Sequence, residues 1–302
     1  MIKLVVTDID DTLVARKRRV ITHRGLAAIH ALLDAGIVCG PATGRDVARV
    51  AYSFRFDPAC YSTAIVANGM RIYHGGQKIL EKVLPADGLQ KIAELCTQDE
   101  RADLLLFGDD GLIWACGTDI DTMAEHDLKH LVNCEGVSLD APQGRATVKS
   151  NLHFDGSIEE LLAFKDELAQ SCPEIDFTCP AAGIIDITEH GWDKGEAALW
   201  LADYLGIGHD EICAFGDAGN DEALIRKIPN SVAVANAFDE IVDAARWHIG
   251  TTMDDAVSAA LEDIAAAAKT DAMPRFMSED VDAHYRKMAE NFNEPIPKGM
   301  DS

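Results

Sequence analysis

The sequence predicts an α/β protein in which a parallel sheet is wrapped by helices and a separate α+β unit is inserted between its two halves. Three observations carry this reading. Short β-branched runs alternate with helical stretches near the start of the chain, the alternation returns near the end, and the segment between them follows another rhythm. The 302 residues suffice for about two domains.

The opening run IKLVVTDIDDTL reads as a strand buried on both faces that delivers its carboxylates at its C-terminal end. A helix is expected over His23 to Ala35, with Thr22 as N-cap and Gly36 as its stop. GIVCGPATGR supplies a second strand and loop, DVARVAYSF a helix, and AIVANG a third strand ending in Asn68 and Gly69. Further on, KGEAALWLADYLGI is a helix, EICAFGDAGND a strand and loop, DEALIRKI a helix, and NSVAVANA a strand with its loop. From 81 to 185, helical ADGLQKIAELCTQ and SIEELLAFKDELAQ are interleaved with the strand candidates ADLLLF, GLIWAC, ATVKSNLHF, EIDFTC and GIIDIT. The expected division is thus a discontinuous core, 1–80 and 186–265, an inserted unit, 81–185, and a polar, partly ordered extension, 266–302.

Composition excludes several classes. Apolar residues at 48% and charged residues at 26% fit a globular protein rather than a disordered or collagenous one. The net charge of −24 disfavours nucleic acid and anionic membranes as partners. It is unevenly spread, with net +5 over 1–80 and −14 over 81–185. Asp8 interrupts the chain before any apolar segment of leader length, and no uncharged run approaches the ~18 residues of a membrane span, so a cytoplasmic location is expected. Cys39, Cys60, Cys96, Cys116, Cys134, Cys172, Cys179 and Cys213 form no C-x-x-C pair, which fits reduced buried thiols rather than a disulfide or zinc framework.

Chemistry concentrates in four places. Asp8 and Asp10 lie two apart at a strand end and face the same side, where two carboxylates call for a cation between them or a retained proton; an acidic strand cap is the plainer reading. Thr43 and Gly44 follow the second strand and offer a hydroxyl and open backbone N–H groups to phosphate oxygens, or make an ordinary turn. Lys194 stands at the first turn of a helix that Asp193 can cap. FGDAGND sets Asp217 and Asp221 on a Gly-rich loop after an apolar strand, a carboxylate set suited to Mg²⁺ or to an Asx-rich turn.

Taken in this order, DxDxT, the threonine after the second strand, the helix-borne lysine and the GDxxND loop resemble the signature of the haloacid dehalogenase (HAD) superfamily. ATGR at Ala42 to Arg45, NG at Asn68 and Gly69 and VANA at Val234 to Ala237 resemble its Cof-type class IIB branch, and the match spans 1 to about 260. Asp11 departs from it, since many relatives carry glycine there. The resemblance implies a Rossmann-like parallel-sheet core with an inserted C2-type cap. It implies a Mg²⁺-dependent phosphatase acting on a small phosphorylated metabolite, a sugar or polyol phosphate, through an aspartyl-phosphate. Asp8 is then the nucleophile and Asp10 the general acid and base. Thr43, Gly44, Lys194 and Asn220 hold the phosphate. Asp8, the backbone carbonyl of Asp10, and Asp217 hold the metal, with Asp221 positioning Lys194 and the metal waters.

Other readings stay open at this stage. In ATVKSNLHF the alternation puts Thr147, Lys149, Asn151 and His153 on one face, either toward a substrate or simply toward solvent. With Arg45 these residues are the candidates for substrate contact. The run Arg16 to Arg19 steers anionic substrate or forms a solvated turn, and His126 and His130 read as surface residues. A phosphomutase of the phosphomannomutase type is the alternative enzyme, although Arg101 and Arg145 are the only arginines in 81–185 to clamp a second phosphate. A non-catalytic binding protein of the same fold is the alternative outside enzymes. The partner expected is a small-molecule substrate, and the sequence leaves the oligomeric state open.

Overall fold

A computed structural model describes residues 1–108, 112–116, 134–137 and 141–292. The chain begins with β1 (Leu4–Thr7), α1 (His23–Asp34), β2 (Val38–Pro41) and α2 (Val47–Ser53), followed by β3 (Ala64–Val66), β4 (Arg71–His74) and β5 (Gln77–Glu81). Next come α3 (Ala86–Cys96), β6 (Ala102–Phe107), β7 (Ile113–Cys116), β8 (Cys134–Val137), β9 (Lys149–Phe154), α4 (Ile158–Ser171), β10 (Ile175–Ala181) and β11 (Ile184–Glu189). It closes with α5 (Lys194–Leu205), β12 (Ile212–Gly216), α6 (Glu222–Lys227), β13 (Asn230–Val234), α7 (Asp239–Ala244), β14 (Trp247–Ile249), α8 (Ala256–Ala268) and α9 (Glu279–Phe292). His126 and His130 lie outside the described residues.

The chain forms two compact units, 1–79 with 194 onward, and 80–193. In the first, five strands lie in the order β14-β13-β12-β1-β2, with every pairing parallel. Such a sheet is buried on both faces, and β1 and β12 are buried at every position. Val5, Cys39, Cys213 and Phe215 point into a core shared with Ile29 and Leu32 of α1 and Leu261 and Ile264 of α8. Thr22 caps α1 by accepting from the Gly25 N–H, and Gly36 turns the chain at φ 78°, a conformation that suits glycine. β3 joins β4 and β5 in a three-stranded sheet and meets the end of β2 at an Ala42–Ile65 bridge.

The second unit is built on a six-stranded sheet of order β10-β11-β9-β6-β7-β8. Its pairings are antiparallel apart from β7 with β8. This unit runs past the expected end at Ile185 because β11 continues to Glu189, paired with β10 and β9. Ser157 and Glu160 close a capping box on α4.

Part of the extension after Ala265 belongs to the first unit. Phe276, Met277 and Ala289 are buried in its core, and the Phe276 ring sits 6.3 Å from that of Phe215. Asp282 of α9 accepts from both the backbone N–H (2.8 Å) and Nδ1 (2.9 Å) of buried His248 on β14. Among the described residues no helix is long and apolar enough to cross a membrane.

Candidate active site

β1 and β12 are adjacent parallel strands, so the segments that follow them emerge side by side at the carboxyl edge of the sheet, where α/β proteins place their chemistry. Asp8 leaves β1 with its N–H donated to the Phe215 carbonyl of β12 (3.0 Å). Asp217 follows β12. Lys194, the first residue of α5, extends into the same place and is fully buried. Its Nζ lies 2.7 Å from Asp8 Oδ1 and 2.7 Å from Asp221 Oδ1. The second oxygen of Asp221 accepts from the backbone N–H groups of Asp217 (3.1 Å) and Ala218 (3.3 Å), so one side chain closes the loop and anchors the lysine. Gly216 is required for this, because a Cβ there would come within 2.6 Å of Asp221 Cβ.

Three buried carboxylates face one ammonium here. Oxygens of Asp8, Asp217 and Asp221 lie within 4.8 Å of one another. Burial pushes Asp8 up to about 7 against the opposing pull of Lys194, with Asp221 and Asp10 adding to the rise. Asp217 is raised well above the usual carboxylate range, first by burial and then by Asp221 and Asp8. For Lys194 burial works against the charge, yet Asp221 and Asp8 more than offset it and the net shift is upward. The surplus of buried negative charge and the all-oxygen donor set fit a hard divalent cation. Since both oxygens of Asp221 are committed to Lys194 and to the backbone, Asp8 and Asp217 are the carboxylates placed to hold it.

Asp10 is placed differently. Its carboxylate is gripped by the Arg45 guanidinium, with Nε 2.7 Å from Oδ2 and Nη2 on Oδ1, while Arg45 Nη1 donates to Ser53 (2.7 Å). Arg45, a candidate for substrate contact, is therefore engaged with Asp10. Thr43 is buried; its hydroxyl accepts from the Arg45 N–H (3.2 Å) and its carbonyl from the Asn68 N–H (3.0 Å). Asn68 in turn accepts from Asn220 (3.4 Å). A Cβ on Gly44 would meet the Asn68 side chain at 3.0 Å, so glycine keeps this backbone open. The first unit thus gathers Asp8, Lys194, Asp217 and Asp221 directly and connects Thr43, Gly44 and Asn220 through Asn68.

Lys149, Asn151 and His153 belong to the second unit and share one face of β9, while Ser150, Leu152 and Phe154 are buried on the other. Lys149 Nζ lies 4.6 Å from the Phe107 ring centre, and Asn151 donates to Asp186. Thr147 is buried ahead of the strand, with its carbonyl accepting from Leu84, and so leaves the polar row. In the basic run, Arg16 pairs with Asp11 (3.1 Å) and Arg18 donates to the Met253 carbonyl (2.8 Å).

Two further residues shape the site. Buried Thr12 donates its hydroxyl to Asp217 Oδ1; its position in DxDxT was the available signal. Asp11 holds a left-handed backbone at φ 57°, which explains why glycine suits this position and why aspartate is tolerated there. Its carbonyl is pinned by Asn236 (2.8 Å) and by Thr252.

Carboxylates and a buried lysine converging at the carboxyl edge of a parallel sheet define an α/β enzyme with an acidic reaction centre. More specifically, the chain belongs to the haloacid dehalogenase-like hydrolases, whose sequence model matches residues 5–261. It is 26% identical over 243 residues to the HMP-PP phosphatase of Serratia proteamaculans, covering 80% of this chain and 86% of that one. In fold it is similar to a HAD subclass IIB sugar phosphatase, with a TM-score of 0.73 at 22% identity over 86% of this chain and 98% of the other. A Bacteroides thetaiotaomicron protein from a study of HAD phosphatases gives 0.74 at 22% identity, covering 87% and 94%.

Proposed function

We propose that this hydrolase is a Mg²⁺-dependent phosphatase that removes a phosphoryl group from a small metabolite through a phosphorylated Asp8. The carrying observation is the Lys194 ammonium held 2.7 Å from both Asp8 and Asp221 beside Asp217, which gives a carboxylate nucleophile together with fixed positive charge for a phosphoryl group. Asp8 and Asp217, with the Asp10 carbonyl, would hold the ion. When bound, Mg²⁺ supplies the charge that lets one anion approach another.

Asp8 needs no base once ionised. Its carboxylate oxygen attacks phosphorus as the bond to the leaving alcohol breaks, and Asp10 gives that alcohol its proton. Asp10 then takes a proton from water, whose oxygen attacks phosphorus and frees Asp8 and orthophosphate. Arg45 holds the Asp10 carboxylate in this arrangement, so Asp10 has to leave that guanidinium to reach the leaving alcohol. Lys194, Thr43 and the N–H groups near Gly44 and Asn220 stabilise the phosphoryl oxygens. Asp221 keeps Lys194 in place.

The relatives' names and the sugar phosphatase fold define the first panel: HMP-PP alongside hexose and polyol phosphates, scored by orthophosphate release with Mg²⁺ and with EDTA. Release that requires Mg²⁺ and disappears in Asp8→Asn supports the reading; isomerised hexose phosphate without release supports a mutase instead. Lys149, Asn151 and His153 are proposed substrate contacts. Changing Lys149 or His153 to alanine then shifts KM across the panel, and unchanged kinetics would exclude them.

A further inference from the structure

We propose that His30, Asp57 and Cys60 form a second cation site, built for a borderline-soft divalent ion such as Zn²⁺ and made of residues that the acidic centre does not use. A ring nitrogen of His30, an Asp57 carboxylate oxygen and Cys60 Sγ all lie within 4.8 Å of one another. His30 comes from α1. Asp57 caps, and Cys60 lies within, the single turn Pro58–Tyr61. The chain reaches that turn through Arg55 and Phe56, both left-handed at φ 54° and 61°.

The donors are already oriented. Asp57 uses Oδ1 to accept from the Ala59 N–H (3.2 Å) and turns Oδ2 to His30 Nε2 at 2.8 Å. Cys60 Sγ lies beside the same carboxylate. Cys60 is fully buried, whereas the His30 and Asp57 side chains are 46% and 30% exposed, so the sulfur lies at the closed end of the trio and water can reach the open end as a fourth ligand. Nitrogen, oxygen and sulfur together match the tetrahedral preference of zinc. Donor atoms around such an ion sit about 3.5 Å apart, given bonds of ~2.0–2.3 Å, so His30 and Asp57, now 2.8 Å apart, would separate slightly to admit it. The all-oxygen set of Asp8 and Asp217 favours Mg²⁺, so hard and softer ions sort between the two places.

The thiol proton opposes loading of the site and has to be displaced by the ion. Burial, and then the Asp57 carboxylate, push the Cys60 thiol up to about 12, while the His30 hydrogen bond holds Asp57 below the usual carboxylate range. A divalent ion would displace the thiol proton to solvent and exchange the His30–Asp57 hydrogen bond for three metal–ligand bonds. It would also tie α1 to the turn before β3, fixing two segments far apart in sequence.

The test is titration of the reduced full-length protein with Co²⁺ in excess Mg²⁺, read by the sulfur-to-cobalt charge-transfer absorption that an all-oxygen site cannot give. The proposal expects one Co²⁺ per chain with this band, bleached by an equivalent of Zn²⁺, absent in Cys60→Ser, tenfold or more weaker in binding in His30→Ala, and retained in Asp8→Asn. His30 is half exposed, so that variant serves even if Cys60→Ser folds poorly. No band, a band that survives in Cys60→Ser, an unchanged affinity in His30→Ala, or loss of the band in Asp8→Asn would each overturn it.

Discussion

Metal-free protein should lose stability as pH rises toward neutrality, and Mg²⁺ should restore it. In the unfolded chain Asp8 ionises near 3.8, whereas in the fold burial raises it to about 7. Between those values the folded state keeps a proton that the unfolded state has released, so this group lowers stability progressively as pH climbs and has its full effect above 7. A shift of about three units at ~1.4 kcal/mol per unit amounts to roughly 4 kcal/mol. Asp217, raised by burial and by its acidic neighbours, acts in the same direction. A cation that binds the ionised carboxylates reverses the loss, strongly above neutrality and weakly at acid pH, where protons compete. The corresponding change in Tm is on the order of 10 °C. Thermal unfolding followed by circular dichroism, with EDTA or saturating Mg²⁺, should show a large metal response at about pH 8 and a small one at about pH 5. Asp217→Asn should raise the metal-free Tm at pH 8 and abolish the response. Equal Tm values with and without Mg²⁺ at pH 8, or an equal response at both pH values, would refute the reasoning.

Lys194→Met leaves three buried carboxylates with no ammonium; turnover should be lost and metal-free stability reduced by about 3 kcal/mol or more, measured by urea unfolding, and a neutral effect would contradict the ion-pair geometry. Phe276→Ala should cost about 3 kcal/mol by the same measurement because its ring is buried against Phe215; an unchanged midpoint would mean that the extension does not pack there. At the left-handed Asp11, glycine should be tolerated, whereas Asp11→Val should cost about 1–2 kcal/mol; equal denaturation midpoints for the two variants would argue against that backbone.

Much of this site is legible because strand ends in a parallel sheet converge by rule. Asp8 and Asp217 each follow an apolar run, and once β1 and β12 pair, the two meet. Lys194 is legible as the start of a helix between recognisable motifs. Side-chain choices made by geometry are not: nothing local states that Arg45 grips Asp10 or that Thr12 donates to Asp217. The cluster of His30, Asp57 and Cys60 escapes a search for cysteine pairs because its members meet only when α1 packs on the turn before β3. β14 has three residues with a histidine in the middle, and its buried imidazole is satisfied by the Val242 carbonyl on one side and, on the other, by Asp282, thirty-four residues on. For the same reason α9 looks polar and detached in sequence. The inserted unit runs past its expected end because that bound cut through GIIDIT at Ile185, whereas pairing with β10 and β9 carries the strand on to Glu189.

The central claim is that Asp8 carries the phosphoryl group. Acid-quenched single turnovers with a ³²P-labelled substrate identified in the panel, followed by peptide mapping, test it most directly. The account predicts transient label on the peptide containing Asp8, decaying as orthophosphate appears and absent from Asp8→Asn. Label on another residue, or Asp8→Asn turning over within about tenfold of the native rate, would contradict it.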